Sequence, residues 1–64
     1  MTATIYDAGG SVIMTTTVVV NYIAQITYEI PIALGWTPGI VKTWQDSPTE
    51  YRLQGPTTVR VVIS

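Results

Sequence analysis

The chain has 64 residues, three of them basic and four acidic, and it contains neither histidine nor cysteine. This composition excludes imidazole base catalysis, thiol chemistry, disulfide bonds and zinc sites built from those two residue types. A chain of this length forms one domain, here residues 1–64. Its side chains offer no nucleophile–base pair, so we expect no enzyme, no cofactor and no metal site.

β-Branched residues dominate the composition and favour an all-β domain. Eight Val, eight Ile and eleven Thr make up 27 residues, whereas there is no Phe and there are only two Leu. The first predicted strand is Thr2–Tyr6, and it is followed by a turn over 7–10 whose paired glycines accept positive φ. A second strand, Val12–Met14, completes a predicted hairpin.

The longest regular pattern runs from Val18 to Ile30. Its even positions are all apolar or aromatic, and its odd positions are mostly polar. This period of two predicts a strand with a bulge or break near Asn21, because 13 residues is long for one strand. The side chains predicted to face the core are Tyr22, Ala24, Ile26, Tyr28 and Ile30.

Proline and glycine divide the second half of the chain. Pro31 ends the predicted long strand because it removes a ladder donor, and residues 31–39 form a connection that ends in a Pro-Gly turn. The remaining predicted elements are a strand at Ile40–Gln45, a long polar loop at 46–56 that admits a short strand at Tyr51–Leu53, and a last strand at Thr57–Ile63.

Several of these segments follow one another in a recognisable order. The hairpin at Tyr6–Gly10 comes first, Tyr28-Glu29-Ile30-Pro31 leads through Pro38-Gly39 into Ile40–Trp44, and Val59-Arg60-Val61-Val62 closes the chain. This order resembles the small immunoglobulin-like β-sandwich domains of bacteriophage structural proteins. The resemblance implies a small antiparallel Ig-like β-sandwich, truncated because such domains usually have about 100 residues. A five- or six-stranded barrel is the alternative fold.

The resemblance also implies a function: a non-enzymatic structural subunit of a bacteriophage virion, such as a head decoration (cement) protein or a neck or tail accessory protein. The composition agrees with life in an assembly, since 11% of residues are charged, against about 25% in ordinary soluble domains. A net charge of −1 favours association. We therefore expect contacts with other virion proteins, capsid or tail, and self-association, within the virion.

Two regions supply candidate interface residues. The connection 31–39 is too apolar for a free loop, and there Trp36 is predicted to be an exposed anchor, whereas Trp44 lies on a strand and is predicted to be core. The strands around Val12–Met14 and Val59–Ile63 carry Arg60 as their only charge, so an edge formed by either would pair with another chain. The predicted protein-interface residues are Leu34, Trp36, Val59, Val61 and Val62.

The alternative function is a small carbohydrate- or protein-binding β module that uses Trp36. Nucleic acid is not expected as a partner, because the three basic residues are too few to neutralise phosphates. A membrane span is not expected either, since the uncharged stretch 8–28 alternates and contains Gly, Thr, Asn and Gln. Asp46 and Glu50 are predicted to be solvated loop charges with Arg52 as a partner.

Overall fold

Five strands form one antiparallel sheet in the computed structural model, which describes residues 1–64. The strand order is β2-β1-β5-β4-β3, which places β5 at the centre and β2 and β3 at the two edges. The strands are β1 (Thr2–Tyr6), β2 (Val12–Thr17), β3 (Lys42–Ser47), β4 (Glu50–Gln54) and β5 (Thr58–Ile63).

The first hairpin forms as the sequence predicts. β1 pairs with β2 in antiparallel register. In the turn between them the Asp7 Oδ1 atom accepts hydrogen bonds from the N–H groups of Gly9 and Ser11, both at 2.9 Å. Gly10 has a φ of 89°, which a residue without a Cβ adopts at no steric cost. The predicted loop over residues 46–56 is too long, because β4 within it is a full strand that pairs with β3.

One face of the sheet is covered by residues 18–41, here named the covering segment. It contains a π-helical turn (Gln25–Glu29), the short helix α1 (Ile30–Ala33) and a 3₁₀ turn (Pro38–Ile40). The fold is therefore mostly β, but the predicted barrel is wrong because the sheet is open. The second layer of the domain is this segment and not the second sheet that a sandwich requires. None of the helical elements is long and apolar enough to cross a membrane.

The predicted long strand over 18–30 is wrong. Residues spaced by four along the chain share one side of a helix, and every fourth residue of an alternating pattern is also apolar. Ile26 and Ile30 are buried in this way, whereas Tyr28 is 60% exposed. β2 ends at Thr17, and Asn21 has a φ of 66°, so the chain turns near the predicted break. Pro31 lies in the first turn of α1, where its missing N–H has no helical partner to lose.

The core lies between the sheet and the covering segment. It contains seven sheet residues and three from the covering segment, packed in one cluster. The sheet residues are Ala3, Ile5, Tyr51, Leu53, Val59, Val61 and Ile63, and the others are Val18, Ile26 and Ile30.

Burial of Tyr51 predicts a loss of stability at high pH. The Tyr51 ring is 4% exposed and meets the Tyr22 ring edge-on, with ring centroids 6.0 Å apart. Burial raises the pKa of the Tyr51 hydroxyl above its ordinary value, and the hydrogen bond and charge of Tyr22 raise it further. Because the folded-state pKa is the higher one, the stability present below the unfolded pKa of about 10 is lost as the pH rises through the folded pKa.

The urea concentration at the unfolding midpoint should accordingly decrease as the pH rises above about 10, the pKa of tyrosine in the unfolded chain. The variant Tyr51→Phe, which cannot ionise, should show a flatter decline than the parent. If the variant and the parent decline with the same slope, another group causes the alkaline loss of stability.

Candidate functional site

The face of the sheet opposite the covering segment has no second layer and is here named the open face. Strand alternation places all three basic residues of the chain on it: Lys42 and Arg52 by the β3–β4 register, and Arg60 by the β4–β5 register. Glu50 and the bulged residue Asp46 accompany them. Most of the chain's charge is therefore on one side of the molecule.

Four large side chains line up across this face. Trp44 on β3 is opposite Arg52 on β4, Arg52 is opposite Arg60 on β5, and Arg60 is opposite Tyr6 on β1. We name these four residues the arginine–aromatic row. Like charges directly opposite in a sheet destabilise it, so the two neighbouring arginines need compensation from other groups.

Aromatic rings provide part of that compensation. The Arg52 guanidinium lies 4.9 Å from the centroid of the Trp44 ring, and the Arg60 guanidinium lies 4.8 Å from the centroid of the Tyr6 ring. Each arginine thus stacks on the aromatic ring on its outer side. Stacking holds a planar guanidinium in one orientation, so less side-chain entropy is lost when it binds a further group.

Two ion pairs provide the rest of the compensation that the neighbouring arginines need. Arg52 Nη2 lies 3.3 Å from Asp46 Oδ1, and Arg60 Nη1 lies 3.4 Å from Glu50 Oε1. The predicted partnership of Arg52 is confirmed for Asp46, but the predicted loop position is wrong, since Asp46 lies in β3 and Glu50 in β4. All four side chains are about half exposed, so each pair contributes at most about 1 kcal/mol.

A cavity of about 320 Å³ adjoins the row at the end near the β1–β2 turn. It is open to solvent, and the side chains that line it include both arginines together with Asp7, Asp46 and Thr58. The cavity can accept a group that both donates and accepts hydrogen bonds, since carboxylates and guanidinium groups line it together.

The predicted interface residues occupy different places. Val59 and Val61 are 2% and 0% exposed and lie in the central strand, so they leave no surface for a partner. The prediction of an edge at Val59–Ile63 is therefore wrong, since two hairpins flank β5, whereas the Val12–Met14 segment does lie in an edge strand. Val62 is partly exposed on the open face, opposite Glu50.

The structure reverses the predicted exposure of the two tryptophans. Trp36 is half-buried against the core and its ring lies on Gly55, and Leu34 is half-buried beside the same core. Trp44 is 40% exposed on the open face. A signal for this was present, because Trp44 is two residues from the charged Lys42 and must share its face of the strand.

The acidic residues form no group of three or more that could hold a metal ion. Comparison with protein-family models, with curated proteins and with solved structures finds no match to this chain. Its function must therefore be inferred from its own side chains, and the open face is the most distinctive arrangement among them.

Proposed function

We propose that this chain is a non-enzymatic structural subunit of a bacteriophage virion, such as a head decoration (cement) protein or a neck or tail accessory protein. It attaches to a neighbouring virion protein through the open face. The arginine–aromatic row carries the proposal, because Trp, Tyr and Arg are the residues that contribute most binding energy at protein interfaces. The resemblance of the chain to phage Ig-like domains supplies the class of assembly.

The partner segment presents carboxylate groups to the two arginines. A guanidinium has five N–H donors, and each arginine uses only one nitrogen in its ion pair. These exposed pairs are weak, so a partner's carboxylates can join or replace them at little cost. Phosphate backbones fit less well, since three basic residues are too few to neutralise a run of phosphates.

Trp44→Ala should remove the chain from virions without unfolding it. The side chain is exposed, so the free energy of unfolding should change by less than about 1 kcal/mol. Loss of an aromatic side chain that anchors an interface weakens binding by about 30-fold, equivalent to about 2 kcal/mol. Quantitative mass spectrometry of purified particles of the phage that encodes the chain measures its copy number, and thermal unfolding of the free variant checks its fold.

Lys42→Gln is the matched control, because Lys42 lies on the same face but outside the row. It should assemble like the parent. If Trp44→Ala assembles equally well, the row is not the attachment site. If the parent protein is missing from the particles, the virion role itself is wrong.

Carbohydrate binding is a second candidate function, and the cavity beside the row favours it. The cavity is of a size that accepts a small ligand, and its carboxylates, guanidinium groups and Thr58 hydroxyl suit sugar hydroxyls. Trp44 would supply the stacking ring, because Trp36 is half-buried. A sugar that changes the tryptophan fluorescence of the parent, but not that of Trp44→Ala, would favour this function over the structural one.

A further inference from the structure

The two edge strands of the sheet differ in how they are protected. β3 carries Lys42 and Asp46, and charged side chains on an edge oppose pairing with another strand. β2 has the sequence Val-Ile-Met-Thr-Thr-Thr, with no charge, no proline and no glycine. The edge formed by β2 is therefore the one that favours a further strand.

The register shows which backbone groups of β2 face outward. Met1 and Val18 exchange two hydrogen bonds, with N–H···O distances of 2.8 and 3.1 Å. Hydrogen-bonded pairs alternate along an antiparallel ladder, so Thr16 and Met14 also bond to β1, through Ala3 and Ile5. The N–H and C=O of Thr15 then point away from β1, towards solvent.

At both ends of β2 the outward backbone groups are hindered from pairing with another strand. The Gln25 amide Nε2 donates to the Thr17 carbonyl at 3.3 Å, and its Oε1 accepts from the Val19 N–H at 2.9 Å. At the other end the register shifts at Ile13, which has no partner on β1. A bulge of this kind interrupts pairing on the strand. Thr15 is the centre of the short stretch that stays open.

We propose that two copies of this chain pair antiparallel through β2, about a two-fold axis at Thr15. The N–H and C=O of Thr15 exchange two hydrogen bonds with Thr15 of the second copy, and Met14 lies opposite Thr16 of that copy. A strand that pairs with itself across a two-fold axis closes at two copies. The inference rests on β2 and the residues beside it, and holds whether or not the open face binds a partner.

Exposed apolar side chains flank β2 and are available to such a dimer. A stable interface buries roughly 1,000 Å² in total, or about 500 Å² from each copy, and each copy exposes 3868 Å². Large apolar residues are exposed within and just after the strand: Val12, Ile13, Val19, Val20 and Ile23.

Beside Met14 and Thr16, a cavity of about 150 Å³ offers space for side chains of the second copy. Glu29 also lines this cavity. Its side chain is exposed, so the carboxylate can stay hydrated when two copies meet.

Single cysteines test the register, since the chain has none of its own. The variants Met14→Cys and Thr16→Cys are mixed in equal amounts and oxidised, and the disulfide dimers are separated by mass. Opposed residues in a non-hydrogen-bonded pair have Cα atoms about 4.5 Å apart, within reach of a disulfide. Two copies of the same variant place their cysteines about 7–8 Å apart on the diagonal, which is too far.

Random pairing would make half of the disulfide dimers mixed. The mixed dimer should exceed that share, and it should be at least five times as abundant as either symmetric dimer. A random distribution of the three dimers would overturn the proposal.

Thr15→Pro provides a second measurement, because it removes an outward donor that β1 does not use. It should raise the dimer dissociation constant at least tenfold in sedimentation, whereas Thr15→Val should not. A parent that stays monomeric at millimolar concentration would also overturn the proposal.

Discussion

Ile26→Asp should unfold the domain, whereas Tyr28→Asp should leave it folded. Ile26 is fully buried under the sheet, and Tyr28 projects into solvent from the same π-helical turn. An unpaired carboxylate in the core costs several kcal/mol. A domain of this size has roughly 3–10 kcal/mol of stability in total. Circular dichroism and urea unfolding of both variants measure the difference.

This pair of variants also separates the two descriptions of residues 18–30. A strand with period two would place both side chains inside, because both positions are even. If both variants unfold, the strand description is right and the helical one is wrong. If both stay folded, Ile26 is not a core residue.

Gly55→Ala should lower the free energy of unfolding by about 1–3 kcal/mol, the usual cost of forcing extra atoms into a packed site. A Cβ at position 55 would lie 2.7 Å from Trp36 Cε3 and 3.0 Å from Cζ3. These are atoms of a rigid ring, so the whole indole must move. Chemical denaturation, with the indole fluorescence as a second signal, measures the effect.

Gly39→Ala is the control, because a Cβ there meets nothing within 4 Å. It should be neutral or should stabilise the domain by a few tenths of a kcal/mol through the unfolded state. In a Trp36→Leu background the cost of Gly55→Ala should shrink, since the atoms that it strikes are gone. An equal cost in both backgrounds would show that Trp36 does not pack on Gly55.

Strand positions were predictable wherever local signals agreed with one another. β1, the Asp7 turn and most of β5 follow from β-branched runs bounded by glycine or proline. β4 was underestimated, because Glu50 and Gln54 make its ends look like loop. Buried Tyr51 and Leu53 nevertheless alternate with exposed Arg52. This period of two can be recognised in the sequence once the partner strands of β4 are known.

Most of the candidate site could not be predicted from the sequence. Arg52 and Arg60 are eight positions apart, and their pairing depends on the β4–β5 register. Tyr6 joins the row only because β1 crosses to the other side of β5. Only the shared face of Lys42 and Trp44 could be derived locally, from strand alternation.

By itself the sequence determined that this protein is a small, mostly β domain with little charge, without histidine or cysteine chemistry, and with an uncharged strand near its N-terminus. Those properties depend on composition and on neighbours in the chain. The tertiary structure decided the strand order, which makes β5 central and β2 an edge. It also decided whether residues 18–30 form strand or helix, because their apolar spacing satisfies both periods and only burial against the sheet selects between them.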